Sequence, residues 1–277
     1  MMNKLNFTTA GIPICTNPRS YQKAFEDLKA MNLDGLEVEF VRGVNMNPQT
    51  QSEIKEALKT NGMVLTAHGP YYINLNAKEP EKIEASLRRI IDTAEVTNNF
   101  GGYSIVFHAG FYLKQEKDLV YKNILKQFVR IIEHIEQNDI KVWIRPEITG
   151  KDTQWGDLDE VIAISKEFKQ VLPCVDFSHM HARTIGGWNT YDDFAKIFER
   201  IGNEIGSYAL EEFHAHLAGI NYGDKGEKNH LMLQESDMNY KDLMRAFKDF
   251  NVKGVLVCES PVMEDDARLL KAYYESL

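Results

Sequence analysis

The sequence predicts an α/β fold, a TIM (β/α)8 barrel with parallel strands inside and helices outside. Short apolar runs rich in β-branched and aromatic residues alternate with longer segments of helical period. Eight such runs occur, which is the number that closes a barrel, and strict alternation implies parallel strands joined by helical crossovers. An open doubly wound sheet would instead carry a glycine-rich phosphate loop after its first strand, and this sequence has none there.

Each predicted strand is a run rich in apolar, aromatic or β-branched residues. In chain order they are LNFTTAGI (5–12), GLEVEF (35–40), MVLTAH (63–68), YSIVFHAG (103–110), KVWIRPE (141–147), VLPCVDF (171–177), EEFHAHLAGI (211–220) and GVLVCES (254–260). About eight helices lie between them; residues 80–101 and 119–139 show the clearest spacing of three and four between apolar positions. The FGG at 100–102 follows such a segment and predicts a helix stop.

Length and composition predict one barrel domain over residues 1–277. The chain is 43% apolar, and a single α/β barrel commonly has ~250 residues. The sequence lacks an apolar run of roughly 18 residues and a basic-then-apolar start, so we expect a cytoplasmic protein that does not enter a membrane. Its three widely spaced cysteines suit reduced thiols, and we expect a monomer without disulfides.

The net charge of −9 argues at face value against a nucleic-acid partner, because such proteins usually carry a basic face. That count includes any carboxylates that bind metal, and each divalent ion restores two positive charges locally. The overall charge is therefore weak evidence against nucleic acid.

Histidine or carboxylate side chains stand at the downstream ends of six consecutive predicted strands. They are His68, His108, Glu147, Asp176 with His179, His216 and Glu259. In a TIM barrel these ends meet on one face, where catalytic groups lie. Any one of them alone is an ordinary capping or solvated residue. Together, crowded like charges repel unless cations hold them, so the pattern predicts a metal centre.

The residue types narrow the choice of ion and of reaction. Imidazoles with carboxylates fit Zn2+ or Mn2+, with other divalent ions possible. So many ligands require two or three ions, and a shared carboxylate can bridge a pair of ions for phosphoryl displacement. The pattern therefore suits hydrolysis of a phosphodiester by a metal-bound hydroxide. Cys174 and Cys258 lie inside apolar strands and are interpreted as packing residues.

Six motifs in order carry a resemblance to a known family. They are HGPYYINL (68–75), VFHAG (106–110), PEITG (146–150), CVDFSH (174–179), HLAG (216–219) and CESP (258–261). This series resembles that of the endonuclease IV family (AP endonuclease family 2), DNA repair enzymes of the xylose-isomerase-like TIM-barrel superfamily. The resemblance implies a trinuclear zinc site that cleaves the phosphodiester 5′ of an abasic sugar in double-stranded DNA.

The resemblance also implies which side chains would hold each zinc ion. His68 and His108 would bind the first ion, which Glu147 would bridge to the second. Asp176, His216 and Glu259 would complete the second site, and His179 with His230 would bind the third. Glu147 and Glu259 would be the catalytic carboxylates, with Glu259 also a candidate proton acceptor for the attacking water.

The third site departs from the family pattern of Asp-x-His. In EKNH (227–230), Lys228 stands where the aspartate is expected before His230. Glu227 could replace it through a shift of register, or the third site is weak or absent.

Four further residues are candidate substrate contacts. Tyr71 keeps the family's aromatic position and could stack on a base or sugar, or simply cover the rim. Arg42 lies in the loop FVRGVNMNPQ (40–49), which differs from the family's DNA-penetrating loop. His181 and Arg183 could contact a phosphate, or could serve the surface or the start of a helix.

Two buried-strand patterns leave alternatives open. Glu37 and Glu39 alternate with apolar residues, so both would face into the barrel or onto a helix, and inside it they would suit a sugar pocket. His214 shares the strand face of His216, so one would bind metal while the other lies a layer deeper, and the resemblance favours His216.

Two enzyme functions, and one without catalysis, fit the sequence. The first is a metal-dependent phosphodiesterase acting on abasic or damaged DNA. The second is a sugar or sugar-phosphate isomerase or epimerase that uses one divalent ion held by Glu147, Asp176, His216 and Glu259. The number of bound metals separates them, because an isomerase has no use for His68 and His108 as ligands. The third is a barrel that only binds nucleic acid or a partner.

Overall fold

A computed structural model describes residues 2–277 and contains one eight-stranded parallel sheet. Its strands are β1 (Leu5–Ala10), β2 (Gly35–Glu39), β3 (Val64–His68), β4 (Ser104–Phe107), β6 (Trp143–Pro146), β8 (Val175–Asp176), β9 (Phe213–Leu217) and β12 (Gly254–Cys258). The sheet order is β6-β4-β3-β2-β1-β12-β9-β8, and its strand pairs are parallel. The TIM-barrel prediction is confirmed.

The two edges of this sheet meet at residues 171–174. Single parallel bridges join Ile144 to Val171 and Glu147 to Cys174. The predicted sixth strand, 171–177, is reduced to Val175–Asp176 because Pro173 has no N–H to donate to a ladder. The seam between β6 and β8 is therefore held by isolated bridges and not by a continuous ladder.

Helices follow the strands and cover the outside of the barrel. They are α1 (Tyr21–Ala30), α2 (Pro48–Asn61), α3 (Pro80–Phe100), α4 (Lys117–Gln137), α5 (Leu158–Glu167), α6 (Phe177–Arg183), α7 (Tyr191–Glu204), α8 (Tyr208–Glu211), α9 (Tyr240–Asp249) and α10 (Glu264–Ser276), with a 3-10 turn at Leu233–Glu235. Helix α3 ends at Gly101, whose φ of +82° is the left-handed conformation that glycine adopts at low cost. The predicted helix stop at 100–102 is thus confirmed.

Two small antiparallel pairs extend from the strand ends. Strand β5 (Gly110–Phe111) pairs with β7 (Gln154–Trp155), and β10 (Gly219–Gly223) pairs with β11 (Gly226–Leu231). The prediction of one strand over 211–220 was wrong in its second half. The barrel strand ends at Leu217, and the chain then turns into the β10–β11 hairpin over the barrel mouth.

Two further observations concern the state of the cysteines and the character of the helices. Cys15, Cys174 and Cys258 are all free thiols, the last two buried. Within residues 2–277, no helix combines the length and the apolar character needed to cross a membrane.

Candidate metal centre

The predicted strand-end residues converge at the mouth of the barrel. His68 ends β3, Asp176 ends β8 and His216 lies near the end of β9, while His108, Glu147 and Glu259 directly follow β4, β6 and β12. Within each of three groups, one ligand atom per residue lies within 4.8 Å of the others. The groups are a first cluster of His68, His108 and Glu147; a second cluster of Glu147, Asp176, His216 and Glu259; and a third cluster of His179, Glu227 and His230.

Glu147 belongs to the first and the second cluster. Its Oε2 lies 3.1 Å from Nε2 of His68 and 2.9 Å from Nε2 of His108. Its Oε1 lies 3.2 Å from Nδ1 of His216. Because the two oxygens face different histidines, this one carboxylate is placed to bridge two ions.

Glu259 and Asp176 complete the second cluster. Oε1 of Glu259 lies 3.3 Å from Nδ1 of His216, and its Oε2 lies 3.9 Å from Nε2 of His230. Asp176 accepts a hydrogen bond of 2.7 Å from the backbone N–H of His179 through Oδ1, which begins helix α6. Asp176 therefore serves as a helix cap while its second oxygen, Oδ2, faces the cluster.

Several of the histidines are oriented by backbone carbonyls on their far side. Nδ1 of His68 lies 2.8 Å from the carbonyl oxygen of Gly69, and Nδ1 of His230 lies 3.1 Å from that of Glu259. Nδ1 of His179 lies 3.0 Å from the carbonyl oxygen of Ile148. Such contacts hold the proton on Nδ1, so that Nε2 is free to bind a metal.

The third cluster uses Glu227 in place of the missing aspartate. Asn221 pairs with Asn229 but Tyr222 pairs with Glu227, so Lys228 is an extra residue in a β-bulge. The bulge restores the alternation of side chains, and Glu227 shares the face of His230 while Lys228 is exposed. The register shift considered from the sequence is the arrangement found in the structure.

Gly150 leaves the space that Glu227 and His179 need. A Cβ atom at Gly150 would lie 2.7 Å from Oε2 of Glu227 and 3.1 Å from Cδ2 of His179. The N–H of Glu227 also donates a hydrogen bond of 3.0 Å to the carbonyl of Gly150. The hairpin is thereby fixed against the loop that follows Glu147.

Buried charges of opposite sign shift the pKa values of these groups. Burial acts to raise the pKa of Glu147, but the imidazoles of His108 and His216 hold it well below the usual range. Burial acts to lower the pKa of His68, but the Glu147 carboxylate raises it to about 10. The Glu147 carboxylate is therefore ionised at neutral pH, as metal binding requires.

The donor set fits a metal centre. Nε2 of His230 is shielded from solvent and has no hydrogen-bond partner in the described part of the chain, and Oδ2 of Asp176 has only an ion-pair contact of 2.9 Å with Nδ1 of His179. Buried polar atoms are normally satisfied, and imidazoles with carboxylates are ligands of Zn2+ and related ions. The three clusters could hold metal ions, as the sequence predicted.

Comparison with known families decides the relationship. The model of a family described as xylose isomerase-like TIM barrel matches residues 25–276. The chain belongs to this family.

The relatives of this xylose isomerase-like barrel differ in their descriptions. This chain is 45% identical in sequence to an uncharacterized protein of Methanocaldococcus jannaschii, and the match covers 99% of this chain and 98% of that protein. It is 25% identical to a probable endonuclease 4 of Methanosphaera stadtmanae, over 76% and 78% of the two chains. The resemblance to endonuclease IV is thus confirmed at the level of family.

Solved structures with the same fold include an endonuclease IV and a D-tagatose 3-epimerase-like protein. Endonuclease IV from Thermus thermophilus has a TM-score of 0.76 and 16% identity, covering 99% of this chain and 100% of that one. A D-tagatose 3-epimerase-like protein has a TM-score of 0.74 and 19% identity, covering 98% and 97%. Similarity at these identities establishes the fold alone.

The candidate substrate residues of this xylose isomerase-like barrel divide into two pairs. Tyr71 is 64% exposed, and its ring lies 6.5 Å from that of His68, while Arg42 is exposed on the loop after β2. His181 is fully buried, with Nε2 3.1 Å from Asp237 and Nδ1 2.8 Å from the carbonyl of Gly187.

Arg183 is likewise engaged inside the protein. Its guanidinium donates hydrogen bonds of 2.9 Å to Oγ1 of Thr149 and 3.0 Å to the carbonyl of Gln154. These contacts hold the loop that follows Glu147. His181 and Arg183 are therefore not brought into the clusters, and we do not place them at the substrate.

The sequence interpretation assigned Cys174 only a packing role. The structure places its Sγ within 4.8 Å of a nitrogen of His214 and of His216. The position of Cys174 could have been inferred from the sequence. Residues 174 and 176 share one face of an extended chain, and Asp176 was already assigned to the barrel mouth.

Proposed function

We propose that this protein is a metal-dependent phosphodiesterase that hydrolyses DNA on the 5′ side of abasic sites. The observation that carries the proposal is the position of Glu147, whose two oxygens face histidines of different clusters. An enzyme that needs one ion has no use for such a bridge or for His68 and His108. Ions held there would supply positive charge to a phosphoryl group and to its attacking and leaving oxygens.

The protein's own side chains would divide the remaining tasks. Glu147 would keep the first and second clusters at a fixed separation. Glu259 lies between the second and the third cluster, and its side chain is 15% exposed, so its carboxylate can accept a proton from the attacking water. Tyr71 would stack on a base or sugar at the rim, and Arg42 would contact the DNA backbone from the neighbouring loop.

Zinc is the metal we propose, with two or three ions per chain. The ligand set of the first and third clusters, imidazole nitrogens with one carboxylate, is common for zinc, and Mn2+ is the alternative. Elemental analysis of the purified protein distinguishes them.

The test uses a duplex of defined sequence with one abasic site and a label at the 5′ end. Protein loaded with Zn2+ or Mn2+ is expected to cut at that site and to leave an undamaged duplex of the same sequence intact. The Glu147→Gln variant is the control for the site. It is expected to lose cleavage while its melting temperature stays unchanged. A fully loaded protein that leaves the abasic duplex uncut would overturn the proposal.

A second candidate is an epimerase of small ketoses. Glu147, Asp176, His216 and Glu259 form a complete set for one ion by themselves, and this observation favours it. Incubation with a ketose panel in D2O tests it, because epimerisation through proton transfer incorporates deuterium at the carbon that changes configuration. Deuterium incorporation with one ion per chain would favour this function over hydrolysis.

A further inference from the structure

The barrel interior below the metal clusters contains a layer of polar side chains. Branched apolar residues dominate this position in TIM barrels. Here the inward-facing residues include five that are completely buried and that we name the inner layer: Glu37, Thr66, Ser104, Cys174 and His214. A polar layer of this kind is expensive to bury unless its members bind one another or a ligand.

Glu37 is the centre of the inner layer. Its Oε1 lies 3.1 Å from Nε2 of His216, and its Oε2 lies 3.3 Å from Nε2 of His214. Thr66 donates a hydrogen bond of 2.7 Å to the same Oε2. One buried carboxylate thus contacts both histidines of β9.

His214 is held in turn from its other side. Its Nδ1 lies 2.8 Å from Oγ of Ser104. Oε1 of Glu37, Nε2 of His214 and Nε2 of His216 are all buried and without a hydrogen-bond partner in residues 2–277, whereas Nδ1 of His216 lies 3.2 Å from Oε1 of Glu147. The chain of contacts therefore runs from Ser104 through His214 and Glu37 to His216, and it ends at the second cluster.

The two nitrogens of His216 face different surroundings. Nδ1 lies among the carboxylates of the second cluster, 3.2 Å from Glu147 and 3.3 Å from Glu259. Nε2 faces Glu37, which has only acceptor atoms when ionised. A metal ligand must present a nitrogen without a proton, so when Nδ1 binds an ion the proton of His216 must stand on Nε2, where the Glu37 carboxylate 3.1 Å away is placed to accept it.

We propose that Glu37 is a positioning residue that fixes the tautomer and the orientation of His216 for metal binding through Nδ1. The inference rests on the proposed function only in that the second cluster holds a cation; it does not depend on the substrate. His68 and His230 each have a backbone carbonyl at Nδ1, and His179 has both the Ile148 carbonyl at 3.0 Å and Oδ2 of Asp176 at 2.9 Å. His216 is oriented through a carboxylate, which strengthens its nitrogen as a ligand.

The experiment measures Zn2+ affinity of the full chain by competition with a chromophoric chelator, site by site. Loss of such an outer contact commonly costs about 10- to 100-fold in affinity. Glu37→Gln keeps an acceptor but loses the charge, and we expect one site to weaken about 10-fold. Glu37→Met removes both, and we expect about 100-fold at that same site, with the other sites unchanged.

Glu212→Gln is the matched control, because Glu212 is also buried and accepts a hydrogen bond from Tyr103 at the opposite end of the barrel. It should leave every affinity at the wild-type value. Wild-type affinity at all sites in a folded Glu37→Met variant would overturn the proposal.

A measurement on the wild-type protein covers the case in which the variants do not fold. Long-range 1H–15N correlation spectra of the Zn2+-loaded chain should show His216 with its proton on Nε2. A proton on Nδ1 would overturn the proposal. Loss of one bound ion in the Cys174→Ala variant would also overturn the proposal. Nε2 of His216 would then be a metal ligand and not a proton donor to Glu37.

The outcome is separable from that of the proposed function. A chain that leaves abasic DNA uncut but loses metal affinity on Glu37 substitution would refute the nuclease and retain the positioning role. Cleavage of abasic DNA, together with a metal affinity that Glu37 substitution leaves unchanged, would retain the nuclease and refute the positioning role.

Discussion

Glu227 and His230 lie on the same face of the β10–β11 hairpin although His230 is three positions after Glu227, because Lys228 forms a bulge. The bulge brings Nε2 of His179 and Oε2 of Glu227 to 3.7 Å. The family's aspartate is thus replaced by a residue one position earlier, and the third cluster keeps a carboxylate.

Glu227→Gln should therefore lower the metal content by one ion per chain. An amide is a poor ligand for zinc in a cluster that otherwise contains only two histidines. Lys228→Asp is the matched control, and it should leave the stoichiometry unchanged because residue 228 faces away. Elemental analysis after dialysis checks both, and an increase in metal content for Lys228→Asp would contradict the bulge assignment.

Glu147→Gln should abolish most of the proposed cleavage while the fold persists. The amide offers one carbonyl oxygen, so it cannot bridge the first and second clusters. We expect a loss of about 10²- to 10³-fold or more, the range for removal of one group that stabilises transition-state charge. Single-turnover cleavage of the abasic duplex measures it, and wild-type rates in this variant would eliminate the bridging role.

The metal-free protein should lose stability as the pH rises from about 6.5 to about 10. The pKa of His68 is raised from 6.5 to about 10 by Glu147, although burial opposes the shift. A raised histidine pKa adds stability below the unfolded value, and this stability is lost as the pH rises through the folded value.

The affinity for Zn2+ should depend on pH in the opposite direction. The ion replaces the proton on His68, so binding releases that proton. Zn2+ affinity is therefore expected to increase between pH 6 and 8. Thermal unfolding of chelator-treated protein and zinc competition across these ranges provide the measurements. A melting temperature of the metal-free chain that climbs steadily from pH 6.5 to 10 would contradict the assignment.

Arg183→Ala should reduce stability and not substrate affinity directly. The variant loses the hydrogen bonds to Thr149 and Gln154, and hydrogen bonds to charged groups contribute about 1.5–3 kcal/mol. Urea denaturation should show a decrease of that order. Unchanged stability together with weaker DNA binding would instead restore Arg183 as a substrate contact.

Tyr71→Ala should show the converse behaviour. The side chain is 64% exposed, so its removal should leave the melting temperature near the wild-type value. If the ring stacks on a base, affinity for the abasic duplex should fall by about 1–3 kcal/mol. Tyr208→Ala on helix α8, a partly exposed tyrosine far from the mouth, is the control, and equal losses in both variants would argue against stacking.

The sequence was informative where one segment carried its own signal. Alternating apolar runs located all eight barrel strands, and the residues at their ends identified His68, Glu147 and Glu259 as neighbours. These predictions succeed because parallel strands in a barrel place their downstream ends together whatever the connections are.

It was less informative where contacts between distant segments decide the outcome. His181 was a candidate for a phosphate contact, but Asp237 and the carbonyl of Gly187 occupy its nitrogens. The contact of Glu37 with His216 joins β2 to β9, and no local pattern indicates that pairing. Tertiary packing determines such partners, and the periodicity of one segment does not contain them.

The ligands of the second cluster come from the ends of β6, β8, β9 and β12, so nearly the whole chain must be present before that cluster exists in full. The second cluster remains incomplete until β12 has left the ribosome and entered the sheet between β1 and β9. A nascent chain therefore cannot present the complete second cluster, and an ion that needs all four of its ligands could be bound only once β12 has joined the sheet.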